Sequence, residues 1–239
     1  MFEYKTPLLG GEPFRDEVDI LIILDACRYD YFVKCNNIEG ELKELKLEST
    51  STLDWLWMSW PSKYEITYVS ANPNISSRFE QRGYKGGEHF REVIDVWDFG
   101  WSDELRTVHP DVVTEVAKER LEEDLIVHYI QPHAPYIGEP RLNVSGWAEL
   151  RCGLLGLKPS GREERIYPTE EGIKLLKAAY LGNLKLVLQS VNKLLKHIPK
   201  GKKVAITSDH SELLGEKNLI GHGYGLNKQI SVPYLKVTL

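Results

Sequence analysis

The feature that most constrains this chain is a set of short, nearly continuous apolar runs that each stop at a side chain able to do chemistry. Residues 18–24 (VDILIIL) and 124–130 (DLIVHYI) have the pattern of strands buried on both faces. Residues 65–70, 92–97, 203–208 and 232–237 read as further strands, and 41–47 (ELKELKL) suits a strand better than a short helix. Helical patterns fall between them at 28–36, 52–60, 111–122 and 170–197. The last puts Ile173, Leu176, Tyr180, Leu184, Val187, Val191 and Leu194 at helical spacing, so this helix should lie along one face of the sheet. Alternating strands and helices imply parallel crossover units, an α/β fold. In open α/β sheets ligands bind beyond the carboxyl ends of the strands. Four candidate ends stand there: Asp25, the hydroxyl cluster Ser49-Thr50-Ser51-Thr52, His133, and Thr207-Ser208-Asp209-His210.

A length of 239 residues suits one domain, 1–239, with a sizeable core. No repeat or interdomain linker interrupts it, and residues 138–168, rich in Gly, Pro and Arg, carry no periodic pattern and read as a long excursion over the site. Lys and Arg total 30 against 35 Asp and Glu, a net charge of -5, which offers no broad basic footprint for nucleic acid. The apolar run nearest the start is too short to span a bilayer, and no cationic, then apolar leader opens the chain, so an integral membrane segment is not expected and the expected compartment is the cytoplasm. Cys27, Cys35 and Cys152 have no paired spacing, which speaks against a zinc cage or a disulfide framework.

Asp209 and His210, adjacent beyond one strand, can both turn toward one divalent cation, and Asp25 supplies a matching carboxylate after its own strand. Singly, each suits a cap or turn; jointly they point to a metal site. The hydroxyl cluster between a strand and a helix would present backbone N–H groups and a helix N-terminus to an anion, and one of its hydroxyls could act as a nucleophile. Plain N-capping needs one of the four. Arg28 beside Asp25 could clamp a tetrahedral anion, although Asp30 is the plainer partner. Asn72 and Asn183 are candidate polar lining. His222, in Gly221-His222-Gly223-Tyr224-Gly225, could donate a proton to a leaving oxygen or hold a second ion, its glycines suggesting close backbone approach.

This set resembles the alkaline phosphatase superfamily, in its sulfatase-like branch with phosphoglycerol and phosphoethanolamine transferases. Asp25 is similar to the family's first metal carboxylate. Thr207-Ser208-Asp209-His210, followed by Glu212 and Gly215-Glu216, is similar to its late metal motif, and Val232-Pro233-Tyr234 to its closing strand. His133, in Gln131-Pro132-His133-Ala134-Pro135-Tyr136, looks like its substrate-contacting histidine. Thr50-Ser51-Thr52-Leu53-Asp54-Trp55 resembles the transferase nucleophile segment, which implies Thr50 as nucleophile, with Thr52 the runner-up. The resemblance implies a three-layer α/β sandwich with a mostly parallel central sheet. It also implies one divalent ion, Mn, Mg or Zn, on Asp25, Thr50, Asp209 and His210, with a second ion not favoured. Asp124 and His128 have the spacing of a second-metal pair, but four strand residues separate them by roughly 13 Å, so the pair reads as a decoy. The Cys-x-Pro-x-Arg motif of sulfatases is missing. The implied activity is a hydrolase or transferase of small-molecule or headgroup phosphate esters, in preference to sulfate esters. A degenerate member of the fold serving as a binding or scaffold module is the alternative. A nucleotide-binding domain is disfavoured because no Gly-rich loop follows the first strand.

Overall fold

A computed structural model describes residues 1–144, 147–158 and 168–239. Seven strands form its central sheet. An N-terminal hairpin, β1 (Phe2–Thr6) and β2 (Phe14–Val18), precedes β3 (Ile20–Leu24), which lies in the middle of that sheet. The other members are β4 (Gly40–Leu45), β5 (Tyr64–Ser70), β6 (Phe90–Asp95), β7 (Leu125–Tyr129), β8 (Val204–Thr207) and β9 (Val232–Val237), in the order β4-β9-β8-β3-β7-β5-β6. Pairing is parallel from β8 through β3, β7 and β5 to β6, while β9 runs against both β8 and β4. Consequently β3, β4, β5, β7 and β8 all end on the same side, and their following loops share one crevice.

The strand parity sorts the core. On β3, Ile20, Ile22 and Leu24 pack with helices α3 (Pro110–Lys118) and α5 (Glu170–Leu195), whereas Leu21 and Ile23 pack with α2 (Thr52–Ser59) and the hairpin. All five are fully buried. Since each such side chain contributes about 1.5–3 kcal/mol on burial, and a one-residue slip would exchange the two faces, the register that positions the strand ends is strongly held. Helix α5 starts at Thr169, whose hydroxyl accepts from the Gly172 N–H, and its apolar stripe covers one face as its spacing predicts. Layers on both faces make the three-layer α/β sandwich expected from the resemblance.

Two expectations need correction. The run 18–24 is divided at Asp19, whose carboxylate accepts from the Lys203 N–H and pairs with the N-terminal ammonium. That charged break lets β2 turn away into the hairpin. Residues 138–168 are not wholly irregular, since α4 (Trp147–Leu155) lies within them; residues 145–146 and 159–167 fall outside the described residues. Helix α1 (Tyr29–Cys35) follows the turn after β3, and short helical turns lie at Gly86–His89 and Val96–Phe99.

Candidate metal centre and active site

Three adjacent strand ends bring Asp25, His128, Asp209 and His210 together, all fully buried. Asp25 directly follows β3, and its N–H donates to the Tyr129 carbonyl on β7. His128 lies opposite Ile23 in the parallel register, and its parity turns it to the α2 side with Ile126 and Trp55. Asp209 is fixed by one oxygen, Oδ1, which accepts from the N–H groups of Ala26 and His210. Across the gap, Asp25 Oδ1 faces His210 Nε2 at 3.4 Å and Asp25 Oδ2 faces His128 Nε2 at 3.5 Å. Asp209 Oδ2 lies 3.6 Å from His210 Nε2 and 3.9 Å from His128 Nε2.

Four of these buried atoms, Asp25 Oδ1, His128 Nε2, Asp209 Oδ2 and His210 Nε2, have no hydrogen-bond partner among the described residues. Orphaned buried polar atoms are costly, and a cluster of them needs an explanation. A divalent ion supplies one. The second nitrogens of both rings are anchored as ligating histidines require: His210 Nδ1 donates to the Ser211 carbonyl at 3.0 Å, and His128 Nδ1 lies 2.7 Å from the Tyr68 hydroxyl. Burial disfavours the His210 imidazolium, but the Asp209 and Asp25 carboxylates outweigh it and lift its pKa to about 10. Burial likewise raises the Asp25 carboxyl, yet His128 and His210 hold it well below the ordinary range. Ligand atoms of Asp25, His128 and Asp209 lie within 4.8 Å of one another, with His210 Nε2 beside both carboxylates, and this mix of carboxylate and imidazole donors fits a divalent ion such as zinc.

His128 is the residue that sequence reasoning missed. The pair rejected above was rightly parted, because Asp124 sits at the other end of β7 on the N-terminal ammonium. His128 nevertheless belongs to the site on its own account. Strand parity carried the signal: it is the polar residue near the carboxyl end of an otherwise apolar run.

The hydroxyl cluster divides four tasks. Ser49 donates to the Asp209 carbonyl at 2.6 Å, and Ser51 is the N-cap of α2, accepting from the Asp54 N–H. Thr50 donates its hydroxyl to the Asp54 carboxylate, which also takes the Thr50 N–H. Asp54, in the first turn of the helix, thus holds the hydroxyl that the resemblance places among the metal ligands. Thr52 Oγ1 accepts from Asn72, whose same amide nitrogen donates to Asp25 Oδ2 at 2.6 Å. Asn72, the candidate polar lining, thus joins Asp25 to Thr52. Arg28 takes the plainer partner named above: its guanidinium grips Asp30 through two bonds of 2.9 Å and reaches Glu216 and the Glu212 carbonyl. It ties the first strand's loop to the late motif.

His133 reaches the crevice from the loop after β7. Asn183 on α5 holds that loop, donating to the carbonyls of Pro132, His133 and Pro135 and accepting from the N–H groups of Ile137 and Gly138. The helix can come so close because position 182 is glycine; a Cβ there would lie 2.2 Å from the Glu139 carbonyl oxygen. His133 Nε2 lies 3.1 Å from His222 Nε2, and its Nδ1 lies 2.6 Å from the Ala134 carbonyl and 3.0 Å from the Trp147 indole nitrogen. The His222 ring lies 4.3 Å from that of His210. Burial, with His210 and His133 beside it, pushes the His222 pKa down to about 2, so this imidazole is neutral. Gly221 and Gly223 have φ of +91° and +83° with open space at their Cβ positions, so they serve backbone conformation and not close approach. The Gly223 N–H donates to the Thr50 carbonyl, which brings the His222 loop onto the hydroxyl cluster.

No family model matches the chain, and no curated protein matches it. Solved structures do. The chain superposes on the soluble domain of lipooligosaccharide phosphoethanolamine transferase A from Neisseria meningitidis with a TM-score of 0.56 and 14% identity, over 99% of this chain and 80% of that one. It matches the zinc complex of the C-terminal periplasmic domain of EptC from Escherichia coli with a TM-score of 0.56 and 12% identity, over 98% and 73%. A protein of the alkaline phosphatase superfamily from Vibrio parahaemolyticus gives 0.54 and 12%, over 98% and 62%. The fold is therefore alkaline phosphatase-like. The expectation of a cytoplasmic protein finds no support among these neighbours, one of which is a periplasmic domain. Among the described residues no helix is long and apolar enough to cross a membrane.

Proposed function

We propose that this chain is a metal-dependent hydrolase or transferase of phosphate esters, with Thr50 as nucleophile. The observation that carries the reading is the convergence of four unpartnered ligand atoms, from Asp25, His128, Asp209 and His210, beside a hydroxyl already bonded to a carboxylate. These four residues would hold one divalent ion, which when bound supplies positive charge to the phosphoryl oxygens. The chain's own groups do the rest. The N-terminus of α2 faces the same anion. The Asp54 carboxylate takes the Thr50 proton as Oγ1 forms its bond to phosphorus and the ester P–O bond breaks. The departing alkoxide takes a proton from the His133–His222 pair. Water or an acceptor hydroxyl then attacks the phosphothreonine, giving hydrolysis or transfer. Its proton passes to the His133–His222 pair and replaces the one given up, while the Thr50 Oγ1–phosphorus bond breaks and the proton held on Asp54 returns to Thr50.

A second assignment of the nucleophile has its own support. Thr52 is joined to Asp25 through Asn72, so its oxygen is the hydroxyl most directly linked to a ligand. The test uses metal-loaded protein and a panel of phosphate mono- and diesters and sulfate esters, with Thr50→Ala and Thr52→Ala in parallel. Turnover of phosphate esters abolished in Thr50→Ala and retained in Thr52→Ala is expected. The reverse pattern moves the nucleophile to Thr52, and no turnover with any metal leaves the binding module.

A further inference from the structure

Beside the His133–His222 pair lies a cavity of about 330 Å³ that the chemistry above does not use. Its walls are mostly apolar, with Ala134, Tyr136, Val144, Leu176 and Ile220 contributing. One carboxylate, Glu212, opens into it. Glu212 is only 3% exposed, and its Oε1 has no hydrogen-bond partner among the described residues. Its backbone is pinned, since its carbonyl accepts from Arg28 and the adjoining Leu213–Leu214 strand pairs with Ile220–Gly221. The side chain is therefore fixed in place without a protein partner for that oxygen.

A buried acceptor left open in an apolar wall is costly unless something arrives to fill it. In the phosphoester reading the phosphoryl group sits at the strand ends beside His210, whose ring lies 4.3 Å from that of His222 in the cavity wall. The cavity is sized for the small organic group that the phosphate carries, and its wall asks that group to be mainly hydrocarbon with a single donor. We propose that Glu212 is a specificity-determining residue that accepts a hydrogen bond from a hydroxyl or ammonium on the non-phosphoryl part of the substrate, seated in this cavity. The inference rests on the phosphoester reading and adds to it which esters are preferred.

Phosphonates, whose C–P bond resists hydrolysis, test it apart from turnover. Calorimetric titration of the zinc-loaded protein would compare propylphosphonate, 3-hydroxypropylphosphonate and 3-aminopropylphosphonate. Both donor-bearing tails should bind about tenfold more tightly than propyl, the scale of one hydrogen bond to a charged group. In Glu212→Leu the three should bind alike, and Glu212→Gln should keep part of the hydroxyl preference while losing that for ammonium. Equal affinities in the wild-type protein overturn the inference even if neither variant folds, as does a preference that survives in Glu212→Leu. If no phosphonate binds, the phosphoester reading falls with it, a result distinct from equal binding.

Discussion

The two halves of the crevice are built differently. The Asp25, His128, Asp209 and His210 group is fully buried on three adjacent parallel strands, and each ligand is held by a backbone or side-chain bond to a neighbouring element. The half containing Thr50, His133, His222 and Glu212 stands on loops that hold one another, through Asn183, Trp147 and the Gly223 contact to Thr50. The sheet fixes the charge-binding half to the precision of its register, while the loops leave the substrate half adjustable. On the proposed function, one fold keeps a metal centre and varies what it acts on.

The comparison breaks most visibly if a ligand is removed. Asp209→Ala should abolish stoichiometric zinc or manganese binding, read by elemental analysis after dialysis, and should leave two buried N–H groups without their acceptor. Asn72→Ala, which removes only the orienting bond to Asp25, should weaken metal affinity by about 10- to 100-fold, the usual cost of losing such a partner. Gly182→Ala acts on the other half: forcing a methyl against the Glu139 carbonyl should cost about 1–3 kcal/mol of stability in thermal denaturation. Ester turnover should fall with it while metal stoichiometry stays unchanged. If metal binding and turnover fall together, the two halves are not separable.

Smaller effects follow from protonation. His210 in the metal-free protein is raised from 6.5 to about 10, so its contribution to stability is complete below the unfolded pKa and is lost as pH rises through about 10. A metal must displace that proton. Metal affinity should therefore rise with pH across this window, with about one proton released per ion in titrations using buffers of different ionisation enthalpy. Glu212 acts in the same sense at lower pH: burial, only partly offset by His133 and His210, raises its carboxyl to about 7. The folded state then holds a proton that the unfolded state has released, so the metal-free protein loses stability as pH rises from 4.5 through about 7. Glu212→Gln should remove that slope and leave the one at higher pH.

How much of this could be read from the sequence follows the same division. The apolar runs, the α5 stripe and the strand-end residues Asp25, Asp209 and His210 were all legible, because local periodicity and position after a strand report them. His128 was hidden by pairing it with Asp124, when parity along its strand was the better guide. Arg28 looked like an anion clamp because sequence neighbours show Asp30 but not Glu216, which arrives from 188 residues away. Asn183 could be suspected of polarity but not of its task, which depends on a loop 45 to 51 residues earlier in the chain. Helix α4 was masked by its Gly- and Pro-rich surroundings.

The central claim is that four side chains at three strand ends hold one ion. Anomalous diffraction at the zinc edge from crystals of the zinc-loaded protein tests it most directly. The account predicts a single strong peak within about 2.0–2.2 Å of Asp25, His128, Asp209 and His210 ligand atoms. A peak elsewhere with these four residues unligated, or no peak at saturating zinc, would contradict it.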